Sequence, residues 1–279
     1  MSANMFVVQR THRHIVKRFD STTYPIAYNG AYFGEFQSGL TDSMLNFPMA
    51  LTVDASQNVY VCDTLNSRIL KLNFDLQLIT KYSTVNTIGK PYAIMIHNNF
   101  IYVVGIYSDL YLRIEKFNNN LVSLINSTNL SDSVIGKQLS ICKGFSSDTI
   151  FIAGASVDIY ETTETTNFSQ VIIRQIVGET RKIYTGIEIS SGYLYLNDGT
   201  KIIKVNSLFE NVGDSNKISK TVRCLRQDTR GNLLVYNVDR QSILSYDVNL
   251  NFVAELFINS GPFIGNDAYE IMDITEVVV

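Results

Sequence analysis

Two sets of polar residues in this chain could do chemistry. The first comprises the carboxylates Glu188 and Asp273, with His97 and Lys143. Two carboxylates and an Asn would supply hard oxygen ligands of the kind that hold a divalent cation. The chain has only three histidines, and His12 and His14 fall together in one basic stretch, which nearly excludes a multi-His centre. The second set is scattered and mixed in charge: Arg10, His12 and Arg13; Tyr107, Asp109 and Arg113; Asp158; Lys201; and Asp239 and Arg240. Such a set suits a protein or a small polar ligand better than a uniform polyanion. The run RTHRHIVKR, Arg10 to Arg18, is the densest basic segment, but the chain carries a formal net charge of −3. Strand alternation would also divide its cations between two faces, so nucleic-acid binding is not expected. There is no phosphate-binding glycine loop, dinucleotide glycine pattern or nucleophile elbow.

The elements that must position these residues come from internal repetition. Residues 50 to 82 recur without a gap at 224 to 256: Leu51, Asp54, Asn58, Val61, Ile69, Leu70 and Leu76 match Leu225, Asp228, Asn232, Val235, Ile243, Leu244 and Leu250. Degenerate copies begin at Asn4, Phe100, Thr149 and Gly192, giving a period of roughly 40 residues, the length of a four-stranded propeller blade. Each copy after the first follows a short apolar strand, around Leu51, Ile94, Ile141, Ile187 and Leu225. The N-terminal copy lacks that leading strand, whereas YEIMDIT, Tyr269 to Thr275, reads as a leading strand with no blade to follow. Joining the two predicts a single all-β domain over 1–279, a six-bladed β-propeller of four-stranded antiparallel blades. The C-terminal strand closes the ring, with Val277, Val278 and Val279 beside Met1 to Asn4.

Runs such as VYVC, IYVV, IFIA and LLVY are short, β-branched or aromatic, and bounded by turn residues. No segment has a sustained helical period, and with only four prolines the turns rely on Asn, Asp and Gly. The segment ETTETTNFS, Glu161 to Ser169, is expected to be an extended connection in the fourth blade. In a propeller of this kind the scattered set lies in turns between second and third strands, on one face of the ring. His97, Lys143, Glu188 and Asp273 lie near the inner strands, around the central channel. Asp54 and Asp228 recur at the end of the inner strand and read as turn acceptors, because a catalytic residue seldom needs a copy in another blade.

The segment FPMALTVDASQNVYVCDTLNSRILKL, Phe47 to Leu72, resembles the NHL repeat: a Pro before the inner strand, a VD ending it, a VYV-type second strand, then Asp, Asn and Arg before the third. The resemblance implies a six-bladed propeller in which Asp63 and Asn66 bond turn amides and Arg68 ties strands or blades together. Absence of Trp removes the Trp-Asp dipeptide of WD40 blades, and the paired glycines of kelch blades are missing. Some six-bladed propellers are lactonases or lyases, so a metal-dependent enzyme with Glu188 and Asp273 as channel ligands is the alternative to a non-enzymatic binding or scaffold module.

With 46% hydrophobic residues the chain can bury a large core. No segment is apolar enough to span a bilayer, and no signal core precedes Arg10, so a cytoplasmic location is expected, without a membrane. Cys62, Cys142 and Cys224 sit within strands without metal spacing and are expected to be buried free thiols. The expectation is a propeller that needs no cofactor and binds a protein partner, as an adaptor or within a larger assembly such as a virus particle.

Overall fold

Apolar runs punctuated by Asn, Asp and Gly become strands along the whole chain, and each group of four pairs with its sequence neighbours. The computed structural model describes residues 3–9, 14–20, 27–35, 41–127, 129–131, 138–154, 158–180, 182–218, 221–257 and 271–278. Blade 1 holds β1 (Ala3–Gln9), β2 (His14–Asp20) and β3 (Ala27–Glu35). Blade 2 holds β4 (Pro48–Val53), β5 (Val59–Asp63), β6 (Arg68–Leu72) and β7 (Leu78–Ser83). Blade 3 holds β8 (Lys90–His97), β9 (Phe100–Tyr107), β10 (Tyr111–Phe117) and β11 (Ser123–Asn126). Blade 4 holds β12 (Ser140–Lys143), β13 (Thr149–Ala153), β14 (Ile159–Thr163) and β15 (Val171–Arg174). Blade 5 holds β16 (Gly186–Ser190), β17 (Tyr193–Asn197), β18 (Ile202–Val205) and β19 (Asn211–Asp214). Blade 6 holds β20 (Val222–Gln227), β21 (Leu233–Asn237), β22 (Ser242–Tyr246) and β23 (Phe252–Phe257).

The last strand, β24 (Ile271–Val278), returns to blade 1 and pairs antiparallel with β1, giving the order β24-β1-β2-β3. Ala3 stands opposite Val278 and Asn4 opposite Val277, so the predicted closure is the observed one. Met1, Ser2, Tyr269, Glu270 and Val279, included in the expected closure, lie outside the described residues. The structure is thus an all-β propeller of six four-stranded sheets whose inner strands are β24, β4, β8, β12, β16 and β20. Among the described residues the only helical elements are two short 3-10 turns, Thr64–Asn66 and Glu164–Thr166. The second falls inside the Thr-rich segment, whose first residues instead end strand β14. No helix of the described residues is long and apolar enough to cross a membrane.

The core lies between blades, because each sheet is apolar on both faces. Ala50, Tyr60, Cys62 and Ile69 of blade 2 pack on Ile94, Ile101, Val103 and Phe117 of blade 3. Cys142, Phe151 and Ile159 of blade 4 meet Ile187, Leu194 and Ile203 of blade 5 in the same way. Burying each such side chain contributes roughly 1.5–3 kcal/mol. Gly186 marks how closely inner strands approach: a Cβ there would lie 2.7 Å from Leu225 Cβ of the next blade. All three cysteines are free and buried, as expected.

A polar seam reinforces this packing at one register in four of the six blades. The inner-strand residues Thr275, Thr52, Met95, Cys142, Glu188 and Arg226 stand opposite Phe6, Tyr60, Tyr102, Phe151, Tyr195 and Leu234. On the third strand, Arg18, Lys71, Lys116 and Lys204 stand opposite Phe6, Tyr60, Tyr102 and Tyr195. Each of these cations reaches the next blade. Arg18 Nη1 donates to Phe74 O at 2.7 Å, Lys71 Nζ to Asn119 O at 2.7 Å and Lys204 Nζ to Val248 O at 2.9 Å, while Lys116 Nζ meets Glu164 Oε2 at 2.7 Å. The Tyr195 hydroxyl donates to the same Val248 carbonyl at 2.7 Å, so a carbonyl that packing would orphan is satisfied twice.

Strand β24 completes a blade that the N-terminal segment starts, so removing it uncovers both blade 1 and the channel. A chain ending at residue 270 is expected to lose the single cooperative urea transition of the full chain, followed by far-UV circular dichroism and tyrosine fluorescence; coincident, unshifted transitions in the shortened chain would contradict the latch role of this strand.

Candidate functional site

The described members of the scattered polar set lie in or beside the turns between second and third strands, and each is held by its own surroundings. Arg113 stacks on the Tyr107 ring at 3.7 Å and donates to Thr87 O at 2.8 Å and Asn129 Oδ1 at 2.9 Å. Asp109 pairs with Lys90 at 2.6 Å, and Asp158 accepts from Gln175 Nε2 at 2.7 Å. Lys201 forms an ion pair with Asp214, Arg240 pairs with Glu255 at 2.9 Å, and the Asp239 amide donates to Asn237 Oδ1 at 3.1 Å. These contacts stay within a blade or a flanking linker, and none draws two of the candidates from different blades together. Arg10, His12 and Arg13 lie outside the described residues.

The residues read as architectural are so. Asp63 accepts from the Asn46 amide at 2.6 Å, from Asn66 Nδ2 at 2.8 Å and from Arg68 Nε at 2.6 Å, and Arg68 Nη2 caps Met44 O at 2.6 Å. Asp54 accepts from the Asn58 amide at 2.8 Å, as Asp228 does from Asn232 at 2.7 Å.

The inner strands bring the other set together around a residue not singled out from the sequence, Arg226. Its Nη2 donates to Asp273 Oδ2 at 2.7 Å in blade 1 and reaches across the channel to Ile94 O of blade 3 at 3.4 Å. Its Nη1 lies 3.5 Å from Ile141 O of blade 4. Asp273 in turn accepts from the Leu51 amide of blade 2 at 3.2 Å and from the Ile274 amide at 3.0 Å. One guanidinium and its partner therefore touch five of the six inner strands, and Glu188 of the remaining one is coupled to Arg226 electrostatically. Burial pushes the Asp273 carboxyl up from its ordinary range and the guanidinium opposes that push. Because the surrounding carboxylates raise the guanidinium further, Arg226 keeps its charge and the two form an ion pair at neutral pH. The signal in the sequence was a full charge where the repeat has Thr52.

Arg226 floors a cavity of about 350 Å³ at the channel mouth, lined by Thr52, His97, Lys143, Glu188, Gln227 and Thr275 among others. The cavity adjoins a second hollow of about 440 Å³ bounded by the turns at 144–147 and 190–192. Three of the four channel candidates, His97, Lys143 and Glu188, thus face one space, and Asp273 lies behind it as the partner of Arg226. His97 Nε2 lies 2.9 Å from Ser147 O, and Gln227 Nε2 donates to Ser190 Oγ at 2.6 Å. Burial raises the Glu188 carboxyl above its usual value, against the stabilising pull of Arg226, the Ile189 amide at 3.1 Å and Lys143. Among the described residues no group of three or more His, Cys, Asp or Glu could hold a metal. The guanidinium coupled to both carboxylates would also repel a divalent cation placed between them, so the residues do not fit the metal site that Glu188 and Asp273 implied.

No family model matches this chain, and neither does any curated protein. Among solved structures it is similar to a streptogramin B lyase, at 14% identity and a TM-score of 0.65 over 91% of this chain and 79% of that one. It is similar to a catalytically inactive virginiamycin B lyase from Staphylococcus aureus with quinupristin, at 14% identity and 0.62 over 93% and 86%. The WD40 propeller domain of Doa1 matches at 11% identity and 0.62 over 92% and 80%. Likeness at these identities is likeness of fold, shared here by lyases and a WD40 domain alike.

Replacing Arg226 by Met strands Asp273 as a buried charge and is expected to cost about 3–5 kcal/mol in urea unfolding, with much of the loss recovered when Asp273 is also made Leu. Glu188 has its folded-state value raised, so its contribution to stability is present below the ordinary carboxylate value of 4.5 and is lost as pH rises above it. Glu188→Gln should therefore be more stable than the parent at neutral pH and flatten the decline in stability on going from acid to neutral pH, as read by thermal unfolding across that range.

Proposed function

We propose that the chain is a non-enzymatic, NHL-type binding propeller that docks on a protein partner as a component or adaptor of a larger assembly. The observation that carries this reading is the rim. The outer strand of a blade is an edge with one row of unpaired backbone groups, and soluble proteins commonly guard such edges with charge or proline. Here the outer strands of five successive blades expose apolar side chains, in four of them beside a charged one: Ile79 in β7, Leu124 in β11, Ile172 and Ile173 in β15, Val212 in β19, and Phe252 and Val253 in β23. Phe252 is 59% and Ile173 58% exposed, and comparable exposure recurs on each of these outer strands. The WD40 likeness supports the same reading, and the channel plugged by its own ion pair supports it from the other side.

The likeness to two lyases favours a second reading, a lyase-type enzyme working in the channel mouth. In that case His97 and Glu188 would be the groups available for proton transfer, and the metal-dependent form would require Arg226 to withdraw from the carboxylates.

A photo-reactive amino acid at Phe252 or Ile173, introduced into the chain in its native source, is expected to cross-link one stoichiometric protein partner. Ile173→Asp with Phe252→Asp should abolish its capture at moderate salt. A partner retained by the double variant, or recovery of the propeller alone from every position, would overturn the rim as the docking surface.

A further inference from the structure

The rim leaves unexplained why the channel mouth is open, polar and asymmetric. We infer that the cavity above Arg226 is a binding site for a small organic carboxylate, held by the Lys143 ammonium and the Thr52 and Thr275 hydroxyls. This site is separate from the rim and does not depend on it.

The hydrogen-bonding capacity left over in the cavity decides the ligand chemistry. The anionic groups are already answered. Glu188 Oε1 accepts from the Ile189 amide at 3.1 Å, its carboxyl is bonded also by the Gln227 amide, and Arg226 is coupled to it. Asp273 lies behind the floor, engaged by Arg226 at 2.7 Å and two backbone amides. Gln227 spends its amide on Ser190 and on Gly231 O at 3.1 Å, and His97 Nε2 is at Ser147 O. The Lys143 ammonium and the two threonine hydroxyls, all of which can donate, make no hydrogen bond to the described residues, and Lys143 meets Glu188 only through its charge. Lys143 ends β12 and is exposed within the mouth, while Thr52 and Thr275 stand at equivalent register positions on adjacent inner strands, β4 and β24. An ammonium and two hydroxyls lining one mouth match the oxygens of a carboxylate, with the Arg226 guanidinium beneath adding positive potential.

Size narrows the class. About 350 Å³ is at the lower end of ligand cavities and suits a metabolite-sized carboxylate. The apolar Met95, Ile96 and Ile141 on the blade 3 and blade 4 side can cover a short carbon skeleton.

The purified full chain would be titrated with acetate, succinate and citrate by isothermal calorimetry up to about 10 mM, a range that detects millimolar binding. Saturable binding of one of them is expected, weakened at least about tenfold by Lys143→Ala, which lies at the mouth and should leave the unfolding midpoint in place. Glu188→Gln keeps its acceptor oxygen for Ile189 but removes the negative charge, so it should tighten the same titration. The pair of variants gives opposite signs for an anion and the reverse signs for an amine. Absence of saturable heat with all three acids would overturn the inference, as would binding unmoved by Lys143→Ala. Affinity for ethanolamine that Glu188→Gln weakens would assign the cavity to a cation instead.

Discussion

The ring depends on one buried charge pair placed where its inner strands converge. An arginine in an inner strand would ordinarily be an expensive guest, because a guanidinium taken from water must recover several kcal/mol of lost hydration. Here the convergence of strands supplies the compensation: a carboxylate from one neighbour and carbonyls from the opposite side of the channel. Every contact that satisfies Arg226 is also a contact between blades, so polar satisfaction and ring geometry are the same requirement. The carboxylate belongs to the returning strand β24, which makes closing the ring and neutralising the arginine a single event.

Farther out the constraint changes character. Between blades the sheets press apolar faces together, and the third-strand cations bridge to turn carbonyls in the next blade. The bridge varies with the turn it meets. In blade 3 the partner is the carboxylate of Glu164, because the fourth blade has a 3-10 turn where others offer a carbonyl, and the Tyr102 hydroxyl is left without a bond. In blade 4 the register position holds Glu161, which turns back to Arg174 of its own sheet. The seam cations thus link four blades to the next and are missing from blades 4 and 6, while the apolar packing runs through all blades described.

Much of the fold was legible because repetition exposes it. Leu51 with Leu225 and Asp54 with Asp228 set the blade period, and the unmatched YEIMDIT segment implied the closing strand, since each follows from local strand and turn chemistry. The roles of Asp63, Asn66 and Arg68 were legible through the resemblance of their blade to the NHL repeat, since the second copy has Asn237, Arg240 and Ser242 at these places. The functional surfaces were not. Tyr107, Asp109, Arg113, Lys201 and Arg240 break the repeat in or beside turns, yet the described contacts commit each to a nearby partner, which no spacing along the chain reveals. Glu188 was recognisable as a charge in an inner strand, whereas the direction of Arg226 across the channel exists only once six strands meet. The rim was also illegible, because an apolar residue in an outer strand reads the same whether a neighbour covers it or water does.

The meeting of Ala3 and Val278 in one sheet has a consequence for how the molecule can be rewired. A ring whose ends pair side by side has no privileged starting blade, so its connectivity is close to a closed loop with one nick. Linking the two ends and opening a surface turn elsewhere would give a circular permutant that keeps every strand pairing while moving the nick to another blade. Strands β24 and β1 would then be joined through a continuous chain, and their pairing would no longer be what holds the ring shut.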